Sequence, residues 1–87
     1  MSTSGHLVEE LDGELRAAGT PGRAAGSKAY LKSDLEFYGT AVPAMRASVR
    51  ALRRSHATLT RDEVLDVAGR LWAPPVFERR LLAVLLL

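Results

Sequence analysis

The sequence predicts an all-α fold of about five short helices stacked as hairpins in the manner of an α-solenoid. Three observations carry this expectation. Apolar residues recur at three- and four-residue spacing in successive segments. Glycines, prolines and capping side chains punctuate those segments where helices would start and stop. The length of 87 residues allows one domain, so the helices must be short and their connections brief.

Composition bounds the class further. An apolar fraction of 47% with 25% charged residues is that of a globular chain. A core this small supplies roughly 3–5 kcal/mol of net stability. The absence of cysteine excludes disulfides and thiolate metal sites, which fits a reducing cytoplasm. The opening Met1-Ser2-Thr3-Ser4-Gly5-His6 has neither the basic flank nor the apolar run of a secretory signal. Leu81 to Leu87 is wholly apolar but far shorter than the roughly 20 residues of a membrane-spanning helix. The expected location is therefore cytoplasmic, without a membrane partner.

The first helix is expected from about Gly5 to Ala18, with Leu7, Leu11 and Leu15 forming a stripe and Val8 beside it. Gly19 closes it, and Thr20 followed by Pro21 caps and opens a second helix reaching about Lys32. Gly22 and Gly26 weaken that helix, while Ala24, Ala25, Gly26 and Ala29 offer a small face against which a neighbouring helix could pack closely. An irregular connection follows, Ser33 to Val42. The wider stretch Lys28 to Pro43 contains Tyr30, Phe37 and Tyr38, three of the chain's five aromatics. Ordered loops of this kind tend to carry binding residues.

Pro43 is expected to open a third helix reaching His56. Met45, Val49 and Leu52 form its buried face, and Arg46, Arg50, Arg53 and Arg54 a separate basic one. Thr60 and Glu63 form a capping box. The fourth helix then buries Val64, Leu65, Ala68, Leu71 and Trp72, with Trp72 read as core. Pro74 and Pro75 stop it. A fifth helix from about Pro75 buries Phe77, Leu81, Val84 and Leu85. Leu85-Leu86-Leu87 has no cap, glycine or charge to close it, and the chain is expected to be cut within a larger architecture.

The net charge of +2 conceals a division. Glu9, Glu10, Asp12 and Glu14 precede any basic residue. From Arg16 to Leu59 the basic residues Arg16, Arg23, Lys28, Lys32, Arg46, Arg50, Arg53 and Arg54 face only Asp34 and Glu36. Such an excess favours a polyanion, although a solvated face is the common origin of a charge run. Like charges at this spacing repel by a few tenths of a kcal/mol per pair, a cost that a bound anion would offset.

No residue pattern supports catalysis. There is no glycine-rich phosphate loop and no paired-histidine spacing. His6 and His56 stand alone, and a metal would need three or four ligands. Asp34 and Glu36 alternate in a loop, where solvated carboxylates are the default. No cofactor is expected.

The residues Ala29-Tyr30-Leu31-Lys32-Ser33, then Phe37, Gly39, Pro43 and Arg46, then Leu71-Trp72 and Glu78-Arg79, resemble in order and spacing the AlkD-like DNA alkylation repair proteins. These are DNA glycosylases built of HEAT-like helical repeats. The resemblance implies a superhelix with a basic concave side for double-stranded DNA. It implies base excision repair by hydrolysis of the N-glycosidic bond of cationic alkylated purines such as 7-methylguanine and 3-methyladenine, without base flipping. Tyr30 matches a tyrosine of the family's DNA-facing cleft. Ala41 stands where a polar residue is common, and Val42 where a threonine N-cap is usual, a loss of about 1 kcal/mol.

The family's catalytic aspartate and cleft tryptophans lie in later repeats without counterparts here. Residues 1–87 thus read as the N-terminal part of such a repair domain, inactive as a glycosylase but able to bind DNA weakly. Tyr30, Lys32, Arg46, Arg50 and Arg53 are the expected DNA-binding residues, with no catalytic and no metal-binding residue. Self-association through an exposed C-terminal helix is a further expectation. Two alternatives stand beside this reading. One is a non-enzymatic helical-repeat adaptor docking through Leu81 to Leu87. The other is a helix-turn-helix reader using Arg46 to Arg54, which lacks the short glycine-containing turn between closely spaced helices.

Overall fold

Five α-helices form near the positions their spacing predicts. A computed structural model, which describes residues 3–87, contains α1 (Thr3–Ala18), α2 (Pro21–Leu31), α3 (Val42–Ser55), α4 (Arg61–Trp72) and α5 (Phe77–Leu86). The fold is all-α and built of helical hairpins, as the sequence predicts. Packing is most extensive between α4 and α5, then between α1 and α4, and α3 lies against α5 and α1. Among the described residues no helix is long and apolar enough to cross a membrane.

Local sequence sets the helix ends. The Thr20 hydroxyl accepts from the Arg23 N–H at 3.2 Å, with Pro21 in the first turn. The Thr60 hydroxyl accepts from the Glu63 N–H at 3.1 Å, and the Glu63 carboxylate accepts from the Thr60 N–H at 3.0 Å. Both halves of the predicted capping box are therefore present. The start of α3 differs from expectation. It begins at Val42, so the N-cap is Ala41, which has no side chain to cap with, and Pro43 falls inside the first turn.

Leu7, Leu11 and Leu15 of α1 meet Met45, Val49 and Leu52 of α3 in the core, as their stripes require. Three expectations are corrected elsewhere. In α4 the inward face is Val67, Ala68 and Leu71. Leu65 and Trp72 are 46% and 47% exposed, because each lies roughly 100° round the helix from that face. Trp72 is therefore not core; the Arg80 guanidinium lies 5.0 Å from its ring centroid. In α5 the buried set is Leu82, Ala83 and Leu86, with Glu78 and Arg79. Phe77, Leu81 and Leu85 are only half-buried, and Val84 is exposed. A helix apolar on nearly every side has no polar face to fix its rotation. The two buried charges of its first turn, Glu78 and Arg79, fix it instead, one turn below Leu82 and Ala83.

The third correction concerns α2. Its small face receives no helix: α2 has no buried residue and, among the described residues, packs against none of the other helices. What approaches it is loop backbone. Gly39, at φ +83°, lies so close to Thr20 and Ala24 that a β-carbon would collide with the Thr20 carbonyl oxygen. The Thr20 N–H donates to the Gly39 carbonyl at 3.2 Å, and the Thr40 hydroxyl donates to the Leu15 carbonyl in the last turn of α1 at 2.6 Å.

Candidate nucleic-acid interface

The four arginines of α3 share an exposed face to one side of the buried stripe Met45, Val49 and Leu52. Among the described residues, no ion pair engages Arg46, Arg50 or Arg54. Arg46 and Arg50, one turn apart, border a groove of about 220 Å3 lined also by Val49 and Leu85. Arg53 has a different environment. Its Nη2 donates to the Leu86 carbonyl at the end of α5 at 3.2 Å, and it lines a separate cavity of about 280 Å3 with His56, Leu59 and Val64. Two cations thus stand free beside a groove, whereas the third also braces a helix end.

Tyr30 and Lys32 lie elsewhere. Tyr30 is 86% exposed near the end of α2. Lys32 is the left-handed C-cap of that helix, at φ 49°. Because α2 and α3 do not pack together, the structure does not bring these two residues into one cluster with the arginines. Lys28, on the same helix, borders an open cleft of about 370 Å3 with Asp34, Glu36 and Phe37.

The loop between α2 and α3 is held by side chains that sequence reasoning did not assign. The Glu78 carboxylate, 2% exposed, accepts from the Tyr38 N–H at 2.9 Å and from the Gly39 N–H at 3.1 Å. Glu36 pairs with α5's entry, its N–H donating to the Pro75 carbonyl and its carbonyl accepting from the Phe77 N–H, both at 2.9 Å. The Phe37 and Phe77 rings stack with centroids 4.8 Å apart. Arg79 reaches the other way. Its Nε and Nη2 donate to the Leu71 and Arg70 carbonyls at 3.1 and 2.9 Å, and its Nη1 to Asp12 at 2.9 Å. The hint in the sequence was the run Glu78-Arg79-Arg80, three charges opening an otherwise apolar helix.

Asp12 joins this network to α1. It accepts from the Tyr38 hydroxyl at 2.7 Å and from Arg16 at 2.8 Å, and Arg16 also lies over the Tyr38 ring at 4.5 Å. Partial burial by itself pushes the Asp12 carboxyl up. The hydrogen bonds from Tyr38, Arg16 and Arg79 outweigh it and hold the group below its ordinary value. Burial, then the bond to Asp12, raises the Tyr38 phenol.

Chemically, this arrangement suits binding an anion better than bond cleavage. Asp12 and Glu78 are committed to arginine, tyrosine and backbone donors. Asp34 and Glu36 are exposed to water, where a carboxylate has little power to stabilise a developing cation. A family model described as DNA alkylation repair enzyme matches residues 11–87. No curated protein and no solved structure matches the chain.

Proposed function

The chain belongs to the DNA alkylation repair enzyme family, and from that premise we propose that it holds duplex DNA by the phosphate backbone. Arg46 and Arg50 make the principal contacts, with support from Arg53, Tyr30 and Lys32. The observation that carries this reading is the exposed arginine face of α3, whose Arg46, Arg50 and Arg54 have no ion-pair partner among the described residues. Phosphate contacts position a protein without reading sequence, so the binding is weak, indifferent to base identity and steeply dependent on salt. The repair served is base excision of cationic alkylated purines, in which the lesion's own charge makes the base a good leaving group. Hydrolysis needs a carboxylate held against the sugar in a site that excludes water. Residues 1–87 form one DNA-holding unit that does not itself cleave the bond.

Fluorescence anisotropy on a short duplex tests the contact. Arg46→Glu with Arg50→Glu should weaken binding at least about tenfold at low salt, and the salt slope should fall by about 2. Equal affinity of the double variant, with its helix content intact by circular dichroism, would sink the phosphate-contact reading. The same protein in excess should release no 7-methylguanine from methylated duplex above a no-protein control; release above it would show that the chain carries its own catalytic group.

A further inference from the structure

In this protein α2 differs from the other four helices in how little holds it. It has 11 residues and none is buried. Isolated helices shorter than about 12–15 residues are marginal in water, and helices of this length normally rely on a packed apolar face. Here no such face is packed. Gly22 and Gly26 lower its propensity further. All the anchoring lies at the N-terminal end: the Thr20 cap, the Thr20–Gly39 bond and the Gly39 backbone against Ala24. At the other end the helix closes on Lys32 in the left-handed conformation, which lacks the ease of glycine there.

The same free end carries the chemistry. Tyr30 and Leu31 are 86% and 47% exposed. Arg23, Lys28 and Lys32 are the only charged residues from Pro21 to Lys32, and among the described residues no ion pair engages any of them. Lys28 faces Asp34 and Glu36 across an open cleft without an ion pair, and a helix whose own charges are all cationic, with an exposed aromatic, is complementary to a phosphate backbone, not to an acid-poor apolar surface.

We propose that α2 is an arm that orders on nucleic acid. Its C-terminal half, from Gly26 to Leu31, is only fractionally helical in the free protein and becomes fully helical when Lys28, Tyr30 and the capping Lys32 engage a duplex. The proposal rests on the DNA-holding reading above and adds a coupling between binding and folding. That coupling lowers affinity by the fraction of arm already folded, so stabilising the arm alone tightens binding.

Gly22 and Gly26 supply the test, because neither has any atom within 4 Å of a built β-carbon and neither has a positive φ. Gly26→Ala should lower Kd for a short duplex by up to about fivefold at fixed salt, whereas Gly22→Ala, in the half already helical, should move it little. Amide hydrogen exchange on the wild-type protein gives the second readout. In the free protein the amides of 28–32 should exchange much faster than those in the middle of α4, and saturating duplex should slow them at least about tenfold. Three results overturn the proposal while leaving the DNA reading standing: α2 amides as protected as those of α4 without DNA, exchange from 28–32 unchanged by saturating duplex, or affinity unmoved by Gly26→Ala. A wild-type protein that binds no duplex at low salt overturns both.

Discussion

Asp12 ties together three donors from three parts of the chain: Arg16 in its own helix, Tyr38 in the loop and Arg79 in α5. A carboxylate held this way is worth most when ionised. Its folded pKa is depressed, so its contribution is fully present above the unfolded carboxylate value of about 3.9 and is lost as pH falls through that value towards the folded one. Asp12→Asn should therefore lower stability at neutral pH by about 1–3 kcal/mol. The gap between variant and wild type should close in acid. Urea denaturation at a series of pH values measures it; parallel curves for the two proteins would show that the carboxylate's charge is not what the network uses.

At the scale of elements, the first turn of α5 organises its neighbours. Arg79 and Arg80 satisfy the Arg70, Leu71 and Trp72 carbonyls, the orphan acceptors at the end of α4, and Glu78 clamps the loop. Cations there also suit the negative end of the α4 dipole. Arg79→Lys keeps the charge but loses the fork that reaches two carbonyls and Asp12 together, so it should cost about 2–3 kcal/mol in urea unfolding. A lysine variant as stable as wild type would show that charge alone suffices. This element also marks where sequence reading stopped. The Thr20 cap, the Thr60–Glu63 box and the stripes of α1 and α3 were legible because each is settled within a turn or two of chain. The Glu78–Tyr38 bond joins residues 40 apart, and nothing local announces it. The rotation of α5 was illegible for a related reason: its apolar letters fit several faces equally, and nothing local announces that Glu78 and Arg79 are the buried charges that choose one. The exposed arginines of α3 were legible from spacing alone, but the bond from Arg53 to the Leu86 carbonyl was not.

Across the whole molecule, the α3–α5 side combines the arginine face with uncovered apolar surface. Val84 and Leu87 are 54% and 74% exposed, and Leu85 shares the groove bordered by Arg46 and Arg50. Scattered apolar residues are ordinary on a small protein. Val84 in α5 and Leu87 at its cap, with Leu85 in the groove, offer apolar area to a second molecule, and we propose weak self-association there. Salt separates this from DNA binding: phosphate contacts weaken as counterions compete, whereas apolar burial is insensitive to moderate salt and strengthens in sulfate. Sedimentation across a wide concentration range should show association that persists at high salt and is abolished by Val84→Lys with Leu87→Lys. DNA binding of that double variant should be unchanged or slightly stronger, since both substitutions add positive charge. A monomer at every concentration, or an association dispersed by salt alone, would remove α5 as the contact.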